Sequence, residues 1–302
     1  MSNQCYEKIT QGLVDLIEAG NLPPWQKPWS GSGMTMPLRA CGKPYQGVNV
    51  VSLWVSAMAQ GFASPYWLTF KQARDLGGNV TKGQKSTTVC YYSTFDKKTE
   101  GDAGSEDEGE TKRIAFLKSY AVFNAEQCEN LPEEFYPERE EPDAKAQFSR
   151  NAEIDAYVAT LGADIKSIDD ARAYYMPSKD YINIPSMLDF ENSERYYGVL
   201  FHELTHWTGA KSRLDREMST VHGSKDYAKE ELVAELGAAF LCAAFGFGDV
   251  TREDHAAYLQ NWLSALKSDA RFIFKASSAA QKAVNYLNEL HSTAAQGKAV
   301  AA

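Results

Sequence analysis

The chain has 302 residues, a net charge of −9 and 44% hydrophobic residues. That is enough for one large or two medium domains, and no apolar run approaches the eighteen or so residues of a membrane helix. Five cysteines are scattered without a C-x-x-C pair, and the first residues lack a basic-then-apolar leader. This argues against a disulfide framework or a cysteine zinc site, and for a reducing cytoplasm.

The charge is uneven. Residues 1–98 carry ten Lys/Arg against five acids, whereas residues 99–146 carry five against fourteen. A basic front on an acidic chain suits a polyanion partner.

The hydrophobic pattern predicts a helix over about 6–18. Leu22-Pro23-Pro24-Trp25-Gln26-Lys27-Pro28-Trp29 follows, whose prolines forbid a helix and which displays aromatics beside a lysine. Further helices are expected at 48–59 and 69–75, then strands at 87–95 and 113–123. Four of the six tryptophans lie in this part. Single-stranded nucleic acid is held by aromatic faces that stack bases and by cations that track phosphates. On that logic Trp25, Lys27, Trp29, Arg39, Lys43, Tyr45, Asn49, Trp67, Lys71, Arg74, Lys82 and Lys85 are candidate contacts, with Tyr91 and Tyr92 on the first long strand. The acidic, Gly-rich insert at 99–111 reads as a solvated hairpin tip. A Pro/Glu-rich linker is expected over 131–147.

The second domain is expected over 148–291. Two short strands, 171–176 and 181–184, flank the turn Pro177-Ser178-Lys179-Asp180. They precede a helix with Asn192 or Ser193 as N-cap and Gly209 as stop. It contains His202-Glu203-Leu204-Thr205-His206. Residues four apart share a helix face, so both imidazoles can reach one Zn²⁺, with another divalent ion such as Mn²⁺ as the alternative. Glu203 is then placed to polarise a metal-bound water as general base.

A third ligand must come from elsewhere. The next helix, about 226–240, sets Glu231 and Glu235 on one otherwise apolar face, where an acid is costly unless paired or metal-bound. Glu231 is read as third ligand and Glu235 as partner of an imidazole N–H, the reverse remaining open; Glu230 fits an exposed face. The preceding strands offer an edge for extended peptide, and one of Tyr174, Tyr175 and Tyr181 could stabilise an oxyanion. Helices at about 255–267 and 277–290 pack behind, and 292–302 is expected to fray.

Several strings carry a family resemblance. Tyr181-Ile182-Asn183-Ile184-Pro185, His202 to Gly209 and Glu230 to Gly237 resemble ArdC-type antirestriction proteins of conjugative plasmids. Pro28-Trp29, Gly47-Val48-Asn49 and Tyr120 to Asn124 resemble their front region, which is shared with TraC-type plasmid primases. The resemblance implies an α+β protein of two domains. A small α+β domain over 1–130 would bind single-stranded DNA, and a zincin-like (gluzincin-type) metallopeptidase domain would follow. It also implies shielding of incoming plasmid DNA from host restriction enzymes. Two other functions compete: a peptidase that cleaves a host defence protein, and a decoy that binds a restriction enzyme through the acidic insert.

Overall fold

The computed structural model describes residues 2–26, 35–98, 111–137, 150–168, 170–218, 224–246 and 255–301. The first helix, α1 (Ser2–Glu18), buries Cys5, Ile9, Leu13 and Leu16, one stripe at helical spacing. A short 3₁₀ turn at Pro24–Gln26 and β1 (Leu38–Arg39) lead to α2 (Val48–Gln60). Gly61 closes α2 at φ 76°, donating its N–H to the Ala57 carbonyl, the left-handed stop that glycine adopts without a Cβ clash. Then come β2 (Tyr66–Leu68), α3 (Phe70–Asp75, capped reciprocally by Thr69 and Gln72) and β3 (Asn79–Val80). The long antiparallel pair β4 (Thr87–Lys98) and β5 (Thr111–Asn124) follows, then β6 (Cys128–Glu129). One sheet runs β1-β2-β5-β4, and β3 pairs with β6.

The second half begins with α4 (Ala152–Ala159) and the sheet of β7 (Asp164–Lys166), β8 (Tyr174–Met176) and β9 (Tyr181–Asn183), in the order β7-β9-β8. Four helices complete it: α5 (Ser193–Thr208), α6 (Lys225–Ala244), α7 (His255–Ser268) and α8 (Phe272–Ala301). Helices α5 and α6 touch closely. A Cβ at Gly237 would lie 2.5 Å from Thr205 Oγ1 and 2.6 Å from its Cγ2, so only glycine fits.

The fold has two domains of mixed helix and sheet, joined by apolar packing. Trp25 stacks obliquely on Trp262 with centroids 6.5 Å apart, and Trp54 on Phe240 at 5.8 Å. Gly47 N donates to Gln281 Oε1 at 3.0 Å, and Thr10 Oγ1 to the Ala270 carbonyl at 2.7 Å.

Three expectations are corrected. Cys5 and Cys90 form a disulfide, their Cα atoms 7.3 Å apart, so α1 is tied to β4 despite the sparse cysteines. The tail stays helical to Ala301, because Ala, Gln and Lys favour helix once α8 is anchored by packing. The supposed linker begins later, since Leu131 and Phe135 are buried with Leu68 and Ala73 in a small core of the first domain. The acidic stretch 99–110 and residues 138–147 lie outside the described residues.

Candidate metal centre and the basic front domain

Asn192 caps α5 by accepting from Arg195 N at 2.7 Å, and the helix ends at Gly209. It delivers His202, Glu203 and His206 into the interior facing α6. His202 and Glu203 are almost wholly buried, and His206 nearly so. The two Nε2 atoms lie 3.0 Å apart. Glu231 approaches both from α6, its Oε2 3.6 Å from His202 Nε2 and its Oε1 3.5 Å from His206 Nε2. A tetrahedral ion with bonds of about 2.0–2.1 Å holds its ligand atoms roughly 3.3 Å apart. The three separations bracket that value, and two imidazoles with one carboxylate are a donor set suited to such an ion. His202, His206 and Glu231 thus form a group able to hold a divalent metal.

Two more carboxylates back this trio. Glu235 Oε1 stands 3.3 Å from His202 Nδ1. Glu230 Oε1 stands 3.1 Å from His206 Nδ1 and also accepts from Arg216, which donates to Thr208 Oγ1 and the Thr205 carbonyl. Glu230 is therefore buried, contrary to the exposed position expected for it. The reason is Arg216, reaching in from the loop after α5. A faint signal existed: Glu230 leads a 230-234-237 stripe ending at the glycine that meets α5.

Burial pushes the His206 pKa down, but hydrogen bonds to Glu230 and Glu231 outweigh it and raise it to about 10. Burial opposes ionisation of Glu231 too, yet bonds to both imidazoles hold its carboxyl far below the usual range. Glu230 is lowered against its own burial by His206 and Arg216.

Strand β8 is an edge of its sheet and touches the site: Tyr175 N donates to Glu203 Oε2 at 2.8 Å. The Tyr175 hydroxyl donates to Asp180 at 2.8 Å and accepts from Arg213 at 3.1 Å. Burial, then the Asp180 carboxylate, push its pKa up to about 12. Arg213 also bonds Asp180 and lies 4.0 Å over the Trp207 ring. The β8–β9 turn is thereby clamped to the end of α5. Tyr174 and Tyr181 engage each other through their hydroxyls at 3.3 Å.

In the front domain the candidates divide. Trp25, Trp67 and Tyr45 are buried, which corrects the expectation that they present faces to bases; they are core anchors. Asn49 is spent on the backbone of β4, donating to the Cys90 carbonyl and accepting from Cys90 N. Arg39, Lys43, Lys71, Arg74, Lys82 and Lys85 are exposed. Lys27 and Trp29 lie outside the described residues. On the hairpin Tyr91, Tyr92 and Tyr120 are exposed, and elsewhere in the domain so are Phe70 and Tyr136.

Two family models divide the chain. Residues 3–123 match the N-terminal domain of the anti-restriction factor ArdC, and residues 152–279 match a zincin-like metallopeptidase. Fold and site thus define a protein that joins an ArdC N-terminal domain to a zincin-like domain. The metal-free crystal structure of antirestriction ArdC from plasmid R388 aligns with a TM-score of 0.79 at 44% identity, covering 95% of this chain and 98% of that one. Its Mn(II)-bound structure aligns with a TM-score of 0.76 at 43% identity, covering 95% and 97%. The uncharacterised protein y4eC of Sinorhizobium fredii is 38% identical over 96% of this chain and 93% of its own. DNA primase TraC of Escherichia coli is 36% identical over 93% of this chain, which spans only 27% of that primase. The chain belongs to the ArdC family of antirestriction proteins. The zincin-like domain and the Mn(II)-bound relative point to a divalent metal here. Among the described residues no helix is long and apolar enough to cross a membrane.

Proposed function

We propose that the chain binds single-stranded DNA through its front domain and protects incoming plasmid DNA from host restriction endonucleases during conjugation. One observation carries the reading: near full-length likeness to an antirestriction ArdC protein. The hairpin supports it locally. Tyr91 sits opposite Lys118 in the β4–β5 register, and Tyr120 lies two residues along on the same face. All three are exposed, giving two stacking rings with a cation between. The test is affinity for single strands against duplex at two salt concentrations. Binding should prefer single strands and weaken with salt, and Tyr91→Ala with Tyr120→Ala should each cost about 1–3 kcal/mol. Equal binding to duplex, or none at low salt, would overturn the proposal.

A second reading is an active peptidase acting on a host protein, with the front domain for targeting. The complete His202, His206 and Glu231 set beside an edge strand supports it. His202, His206 and Glu231 would hold the metal, Zn²⁺ or Mn²⁺, which when bound supplies Lewis acidity to a water or carbonyl. Glu203 would take the proton of the attacking water, oriented by Tyr175 N–H. Glu235 and Glu230 would fix the two imidazoles through their Nδ1 atoms. An unchanged antirestriction phenotype in Glu203→Gln would remove peptidase chemistry as the mechanism.

A further inference from the structure

A cleft of about 630 Å³ opens between α1, α8 and the loop after α5. Tyr6, Leu214, Arg216, Arg271, Phe274, Lys275, Ser278, Ala279 and Lys282 line it. Among the described residues, four cations and no carboxylate line this cleft, on a chain whose net charge is −9. The cations are not equivalent. Arg216 is committed to buried Glu230. Lys275 reaches Asp269 at 2.9 Å, but both side chains are about half exposed, so that pair is weak and can yield to a phosphate. Lys282 is exposed and has no carboxylate partner among the described residues. Arg271 is exposed and lies 5.2 Å over the Tyr6 ring, which packs edge-on against Phe274 at 4.5 Å. Arg271, Lys275, Ser278 and Lys282 form one stripe, spaced by four, three and four. At 1.5 Å per residue it runs roughly 16 Å, room for several nucleotides rather than one phosphate.

The hairpin is tied to α1, which forms one wall of the cleft. Cys5, next to Tyr6, is bonded to Cys90 of β4. Side chains alternate along a strand, so Tyr92 shares the Cys90 face, on the side of α1, and it is 65% exposed. This face is opposite to the one that carries Tyr91 and Tyr120.

We infer that the α1–α8 cleft is a phosphodiester-binding groove for a single nucleic-acid strand, with Arg271, Lys275 and Lys282 tracking the backbone and Tyr92 at its approach. The inference rests on the single-strand reading above and deepens it: the metallopeptidase domain itself supplies part of the DNA surface. Neither the charge pattern of the front domain nor the metal motif leads to it.

The test uses the full chain and an oligothymidylate of about twenty nucleotides, read by fluorescence anisotropy across a salt series. The variant Arg271→Gln/Lys275→Gln/Lys282→Gln changes exposed side chains only, and its thermal melt should match that of the parent. Affinity should fall at least about tenfold, and the log–log salt slope should become shallower by about two, near 0.7 for each lost contact. Lys282→Glu alone should fall in the same direction, a check should the triple variant melt early. If the parent binds and both variants bind equally well with the same slope, the cleft is not the groove, while the hairpin reading stands. If the parent binds no strand, both readings fall. If the parent binds inorganic phosphate and the triple variant does not, while strand affinity and salt slope are the same in both, the cleft is a free-phosphate site and the strand assignment is overturned.

Discussion

Around α5 and α6, His202, Glu203, Glu230 and Glu235 are almost entirely withdrawn from water, whereas on β4 and β5 Tyr91, Tyr92 and Tyr120 stand 55%, 65% and 45% exposed. The helix pair hides polar groups that ordinarily face solvent. The hairpin shows rings that ordinarily seek the core. Buried charges persist only when cross-bonded, so each member of the helix-pair network supports folding as well as the metal site. Exposed rings contribute little to stability and can be removed at small cost. Substitutions in the first region should therefore move stability and metal affinity together, while those on the hairpin should move DNA binding alone.

The largest effect expected from this contrast is at Arg216. Its loss leaves Glu230 buried with only His206 to answer it. Arg216→Ala should destabilise the fold by about 3–5 kcal/mol, measured by urea unfolding of the metal-free chain. A loss below about 1 kcal/mol would mean Glu230 protonates or reaches water instead. Gly237→Ala comes next: a methyl within 2.6 Å of Thr205 has nowhere to go unless α5 and α6 part. About 1–3 kcal/mol should be lost, with weakened metal binding because the same helices carry the ligands. Glu235→Gln keeps the volume but removes a carboxylate 3.3 Å from His202 Nδ1. Mn²⁺ or Zn²⁺ affinity by titration calorimetry should fall about tenfold to a hundredfold. Were affinity to vanish instead, Glu235 rather than Glu231 would be a direct ligand.

The same contrast explains what could be read from the chain. The metal helix is legible because its signals are local: a cap at Asn192, ligands four apart and a stop at Gly209. Glu231 and Glu235 follow from helical spacing in the same way. Glu230 does not, since its burial depends on an arginine fourteen residues away in a loop without periodicity. Trp25 illustrates the opposite failure. A tryptophan among prolines reads as displayed, yet it packs on Trp262, more than two hundred residues on, and no local pattern records that meeting. Asn49 resembles a base reader only until its amide is seen bridging both backbone groups of Cys90. Tyr91 and Tyr92 were visible as aromatics on the first long strand, but that Tyr91 shares a face with Tyr120 depended on the β4–β5 register.

The smallest effect tests the clamp between the β8–β9 turn and α5. Asp180 accepts from Arg213 and from the Tyr175 hydroxyl, and these bonds, Arg213 first, hold its carboxyl below the ordinary value against partial burial. A carboxyl depressed in the folded state contributes stability that is present above its unfolded pKa, near 3.9, and is lost as pH falls through the folded value. Its side chain is 51% exposed, so the contribution is under about 1 kcal/mol. Asp180 also sits at φ 53°, a conformation asparagine tolerates, so Asp180→Asn removes the charge without straining the turn. The variant should be slightly less stable than the parent at pH 7, and the gap should close between about pH 4 and pH 2. A constant gap across that range would show that Arg213 is held by the Trp207 face and carbonyl alone. The edge strand over Glu203 would then owe its position to packing, not to this ion pair.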